Sequence, residues 1–135
     1  MKRFQLVHRA LQSGATGMLT GIGLGAFGAH GLRGALSPRM LEVYQTAVQY
    51  QMVHSLALLI VGGICLRQDF PLLTRSYRCF GWGIVLFSGS LYALVASSLI
   101  LTESLSWLGI ITPIGGLLFI AGWLLMLIDL QTLKR

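Results

Sequence analysis

The sequence predicts an all-α integral membrane protein: one bundle of four transmembrane helices with both termini in the cytoplasm. Three observations predict it. Hydrophobic residues make up 55% of the chain and charged residues only 10%, against about 25% charged in a soluble domain. Mean hydropathy is +0.76. The apolar residues gather into four segments, each near the ~20 residues a helix needs to cross a hydrocarbon core. These segments and their connections use up all 135 residues, so a single membrane domain is expected.

The first helix is expected over about residues 10–29. A basic, mildly amphipathic stretch, MKRFQLVHR, precedes it. A basic start before an apolar run also has the form of a signal peptide, with AFGA as a weak cleavage site. The glycine pattern argues for a retained helix. Gly17, Gly21 and Gly25 repeat at four-residue spacing, with Ser13 and Ala29 extending the row. Such a row lets another backbone approach closely, and intramembrane helices tolerate glycine. The partner is left open: another helix of this chain, a second copy, or another membrane protein.

The second helix is expected over about 37–66, because Ser37-Pro38 reads as an N-cap followed by the first helical residue. Gly31 and Gly34 break the chain before it. The loop RQDFPLLTRSYR leads to a third helix over about 77–101, where Gly83, Ser90 and Ser97 recur at seven-residue spacing. A short TESLS connection makes the last two helices a hairpin. The fourth helix is expected over about 105–130, with Pro113, Gly115 and Gly116 kinking its first half.

Charge placement sets the orientation. With the N-terminus inside, Lys2, Arg3, Arg9, Arg67, Arg75, Arg78, Lys134 and Arg135 face the cytoplasm, and Arg33 and Arg39 lie outside. This satisfies the positive-inside rule and places the protein in an inner, plasma-type membrane as a multi-pass protein, with Trp107 at the outer interface. The net charge of +6 is therefore spread as helix-flanking residues. It does not form the contiguous basic surface that nucleic acid requires. Cys65 and Cys79 have neither CxxC spacing nor a neighbouring histidine and read as packing residues.

The chemically dense region runs from His30 to Ser55. On a helix, Glu42, Gln45, Thr46 and Gln49 share one face, and Tyr50 and His54 share the adjacent one. A carboxylate at mid-membrane costs about 2.5–3.5 kcal/mol on insertion scales, so the stripe is expected to face the bundle interior, a water-filled cleft or the outer interface. Three readings are open. The groups satisfy one another and the broken loop near the surface; or they line a cavity that binds a proton, ion or small solute; or His30, Glu42 and His54 hold a metal such as zinc. Nothing in the spacing forces those three together, and no metal or cofactor is expected. No serine sits in a nucleophile elbow, and Gly21–Gly25 lies mid-membrane with no preceding strand, so it is no phosphate cradle.

The run GAFGAHGLRGAL followed by LEVYQTAVQYQMVHSLALL resembles the YgdD/YwdK-type small inner-membrane proteins, a family of unknown function. The specific part covers about residues 23–60. The resemblance implies a multi-pass inner-membrane location and no assigned activity. The family's recurrent residues correspond to Gly25, Phe27, Gly28, His30, Gly31, Tyr44, Ala47, Tyr50 and His54. The expected role is non-enzymatic, as an accessory or assembly factor or a component that binds a small solute or ion. The alternative is a membrane-embedded enzyme or metal protein built on His30, Glu42 and His54. A wide polar cavity reaching Glu42 and His54 would favour transport, and a dry, fully paired cluster a structural role.

Overall fold

The computed structural model describes residues 2–67, 70–100 and 106–132. Asp69, Leu101, the connection up to Leu105, Lys134 and Arg135 lie outside the described residues. The protein is all-α, with four helices running alternately up and down: α1 (Arg3–His30), α2 (Pro38–Cys65), α3 (Leu73–Ile100) and α4 (Ile111–Gln131). Three segments, Pro38–Cys65, Leu73–Ile100 and Trp107–Gln131, are long and apolar enough to cross a membrane. α1 matches them in length but not in hydropathy, because glycine, threonine and glutamine dilute its apolar residues.

Helix boundaries follow from where backbone groups find partners. At α2, the Ser37 hydroxyl accepts from the Met40 N–H at 3.3 Å, and Pro38 is the first helical residue. α1 starts at Arg3, well before the expected Ala10, because Leu6 and Val7 already bury against the core around Cys65, Leu73 and Phe80. α3 starts at Leu73 rather than Tyr77. The Asp129 carboxylate, reaching over from the end of α4, accepts the N–H groups of Leu72 (2.7 Å) and Leu73 (2.8 Å). It thereby caps two of the N–H groups that a helix start leaves without intrahelical partners.

α4 also differs from expectation. A 3-10 turn over Ser106–Ile110 precedes it, and Pro113 is its third residue. In a first turn the missing N–H costs nothing, so proline does not kink this helix. The irregular backbone lies across from it, in a π-helical segment of α3 at Ile84–Ser88.

α2 is the hub. Half of its most apolar window is buried, against 28% and 22% for the α3 and α4 segments. The glycine row on α1 faces α2 of the same chain: a methyl at Gly14 would meet Leu59, at Gly17 Ser55, at Gly21 Met52, at Gly25 Val48 and at Gly28 Tyr44. The seam thus runs over Gly14, Gly17, Gly21, Gly25 and Gly28. The Ser13 hydroxyl turns back to the Arg9 and Ala10 carbonyls of its own helix and Ala29 is exposed. Between α3 and α4 the fit is aromatic. Phe119 fills the space at Gly83, Phe80 that at Gly122, and the Phe87 backbone approaches Gly115. Gly83, Ser90 and Ser97 are all buried.

Candidate functional site

α2 buries one stripe at alternating spacings of three and four: Tyr44, Ala47, Gln51, His54, Leu58, Val61 and Cys65. This heptad-like face carries two polar groups into the middle of the bundle, and the structure gives each a complete set of partners.

Gln51, 6% exposed, ties three helices together. Its Nε2 donates to the Gly17 carbonyl at 3.0 Å and to the Thr20 hydroxyl at 2.9 Å on α1. Its Oε1 accepts the Tyr92 hydroxyl of α3 at 2.9 Å. A carbonyl can only accept, so the nitrogen must face α1 and the oxygen α3. Two turns outward, the Tyr44 hydroxyl donates to the Leu24 carbonyl at 2.8 Å, and its ring meets Tyr92 edge-on at 5.5 Å. The bare helix face, at Gly17 and Gly21 for Gln51 and at Gly28 for Tyr44, is what admits these side chains to the α1 backbone.

His54, 4% exposed, sits in an aromatic cage. Its ring stacks on Phe119 with centroids 3.4 Å apart and planes 8° from parallel, and Phe80 and Trp123 close two further sides. Nδ1 lies 2.8 Å from the Tyr50 carbonyl, and Nε2 receives the Trp123 indole N–H at 3.2 Å. The indole only donates and the carbonyl only accepts, so the ring is held neutral with its proton on Nδ1. Tyr50 is half-exposed and stacks on Phe87 at 4.4 Å. With Phe87, Pro113 and Trp123 it lines an apolar cleft of about 600 Å³, with His54 at its floor.

The rest of the expected cluster lies elsewhere. Glu42, Gln45 and Gln49 are exposed, on the side of α2 away from this stripe, where a position inside the bundle was one of the expectations. Gln49 and Gln51 are two residues apart and so point about 200° apart around the helix. No described basic group pairs with Glu42, and its backbone carbonyl takes the Thr46 hydroxyl. His30 is exposed at the end of α1, remote from the His54 cage. Among the described residues, no three His, Cys, Asp or Glu side chains converge as metal ligands would. His30, Glu42 and His54 are therefore not one site.

Sequence reasoning missed Gln51, Tyr92, Trp123 and Asp129. The three-four spacing of Tyr44, Ala47, Gln51 and His54 was the available signal for Gln51. The others pair across 41 to 69 residues of sequence, and no local pattern announces them. Two buried hydroxyls, Ser55 and Ser88, have no hydrogen-bond partner among the described residues.

Comparison with known proteins matches residues 24–116 to the profile of a protein family of unknown function, DUF423. A UPF0382 membrane protein of Staphylococcus haemolyticus is 46% identical over 116 residues, covering 86% of this chain and 89% of the relative. The UPF0382 membrane protein YwdK of Bacillus subtilis is 43% identical over 119 residues, covering 85% and 89%. No solved structure matches. The residues shared with the resemblance explain themselves in part by packing: Gly28 receives the Tyr44 ring, Gly31 the Phe27 ring, and Ala47 is fully buried.

Proposed function

We propose, from the premise that the chain belongs to the DUF423 family of membrane proteins of unknown function, that it is a non-enzymatic multi-pass component of the inner membrane. Both termini lie in the cytoplasm, and it acts by binding at its outer faces. Its polar core is a structural lock. The observation that carries this reading is the saturation of Gln51 and His54 in that core. Both His54 nitrogens and both ends of the Gln51 amide are engaged inside the chain. A relay needs a group that can give or take a proton along a path, and an ion site needs oxygens left free. Polar groups buried in lipid and fully paired fix register and orientation instead.

The described basic residues at the end formed by the start of α1, the end of α2 and the start of α3 (Lys2, Arg3, Arg9, Arg67, Arg75 and Arg78) support the cytoplasmic orientation. The test is flux in vesicles. The purified protein, reconstituted with a trapped pH-sensitive dye, is expected to dissipate an imposed proton gradient no faster than empty vesicles. His54→Ala is expected to lower the melting temperature in detergent. A leak carried by the wild type and abolished in a folded His54→Gln variant would overturn the reading.

A further inference from the structure

α1 packs along α2 and only grazes α3, so a groove of about 1060 Å³ opens between α1 and α3 with Gln51 at its floor. Its α1 wall is a polar stripe, Arg9, Gln12, Ser13, Thr16 and Thr20, at helical spacing. Its α3 wall offers Tyr77, Val85, Ser88 and Tyr92. A second hollow of about 250 Å³, lined by Arg78 and Trp82, shares Tyr77 and Val85 with it. The mouth is thus flanked by two arginines and by the aromatic residues typical of a membrane interface.

We propose that this groove holds one anionic glycerophospholipid from the leaflet at the N-terminal end of α1, with its phosphate at Arg9 and Arg78. The proposal rests on the membrane-spanning reading above.

Two features select this occupant. The first is a gradient in hydrogen-bonding capacity. At the deep end Thr20, Gln51 and Tyr92 are committed to one another and to α1 carbonyls. Toward the mouth the Arg9 guanidinium and the Gln12 amide have no described partner. A molecule with a charged head, a polar ester region and an apolar tail matches that order, and basic pockets between membrane helices bind anionic head groups in this way.

The second feature is length. Arg9 to Thr20 spans about 17 Å of helix, close to half of the ~30 Å hydrocarbon core. That is one leaflet. A partner helix would run the whole thickness, but the groove's lining on α1 ends at Thr20.

The test titrates detergent-purified protein with phosphatidylglycerol or phosphatidylcholine of identical chains, read by native mass spectrometry and by melting temperature. One phosphatidylglycerol is expected to stay bound per chain. Arg9→Gln and Arg78→Gln are each expected to weaken retention about five-fold, the size of one interfacial basic residue. Thr16→Trp, an exposed position inside the groove, is expected to block binding with an unchanged far-ultraviolet spectrum. Should Thr16→Trp fail to fold, the two arginine variants, both at exposed positions, still decide. Equal retention of phosphatidylcholine would overturn the proposal. So would displacement by glycerol phosphate alone, which would make the site one for a free anion. A stable dimer mass lost in Thr16→Trp would show a helix in the groove and overturn it too. None of these outcomes involves ion flux, so failure here is distinguishable from failure of the structural-lock reading.

Discussion

Along α1 and α2 the holes lie mostly on one helix and the side chains that fill them on the other: five glycines of α1 take Leu59, Ser55, Met52, Val48 and Tyr44 of α2, and in the reverse direction Gly62 of α2 takes Leu11 of α1. Along α3 and α4 the arrangement is mutual, with Phe80 and Phe87 of α3 set against Gly122 and Gly115 of α4, and Phe119 of α4 set against Gly83 of α3. So one-sided a row is nearly smooth away from the Leu11–Gly62 contact, and shape alone holds the register weakly. The bonds of Gln51 and Tyr44 to the α1 backbone fix it. An interlocked pair fixes its own register, with polar contacts added from Asp129 to the α3 start, from the Ser76 hydroxyl to the Gly122 carbonyl and between Ser90 and Thr112. In lipid there is no hydrophobic drive to hold helices together, so packing and hydrogen bonds must do it. The two hairpins divide these two means differently.

The largest expected effect follows from rigidity. Gly115→Ala drives a methyl into the Phe87 backbone, whereas Gly21→Ala meets the Met52 side chain at 2.7 Å, which can turn aside. Gly115→Ala is expected to cost about 3 kcal/mol and Gly21→Ala about 1 kcal/mol or less, within the span seen for overpacking. Gly116→Ala, whose nearest neighbour would be a Phe87 ring atom at 3.8 Å, should be close to neutral. Thermal melts in one detergent rank the three. Equal losses at Gly21 and Gly115 would erase the distinction between the smooth and the interlocked seam.

Next in size is the cap at the basic end. Asp129, 2% exposed, is the acceptor for two N–H groups of the α3 start. Asp129→Ala leaves both unpaired and is expected to cost about 2 kcal/mol. Asp129→Asn keeps one acceptor oxygen and should recover part of it. Hydrogen exchange at Leu72 and Leu73 reads the effect locally. Unchanged protection would mean that water caps this helix equally well.

Much of the architecture was legible because its signals are local. Ser37-Pro38 announces a helix start from two adjacent residues, and the glycine row needs only its own spacing to be seen as a seam. Two boundaries were misplaced because distant groups set them: Asp129 for α3, and the Leu6 and Val7 contacts for α1. The site was half legible. His54 and Tyr50 stood out as residue types, but the polar face was drawn through Glu42, Gln45 and Gln49. α2 is apolar enough all round that its polar residues do not reveal which side is buried. The three-four spacing through Tyr44, Ala47, Gln51 and His54 does reveal it, because that spacing is what keeps a stripe against neighbouring helices.

A double-mutant cycle sharpens the role given to Gln51. Gln51→Leu removes the bridge and strands Thr20 and Tyr92, and Tyr92→Phe removes one arm of it. Intramembrane hydrogen bonds measure about 0.6 kcal/mol on average and rarely above 1.7 kcal/mol. Gln51→Leu is accordingly expected to cost about 1–2 kcal/mol, with a coupling to Tyr92→Phe of about 0.5–1 kcal/mol. Additive effects would mean that Gln51 and Tyr92 stabilise the bundle independently, by packing alone.

The smallest effect, and the one that most directly checks which way α2 faces, is expected at Gln49. It is exposed, and with Gln45, Gly25, Gly28 and Ala29 it borders a shallow hollow of about 420 Å³ on the outside of the α1–α2 seam. It lies about 17 Å along α2 from Pro38, near the middle of a span of ordinary thickness. An amide there gains nothing from lipid, whereas leucine is favoured in the hydrocarbon by a few tenths of a kcal/mol. Gln49→Leu should therefore leave the melting temperature unchanged or raise it slightly, within about 0.5 kcal/mol. The same substitution two residues on, at Gln51, lowers it. The opposite signs follow from the ~200° between neighbouring faces of one helix. If Gln49→Leu destabilises as much as Gln51→Leu, the Gln45–Gln49 face is buried against something in the folded assembly. The outward orientation of that face would then be wrong, and the α1–α2 seam would have a second, polar side.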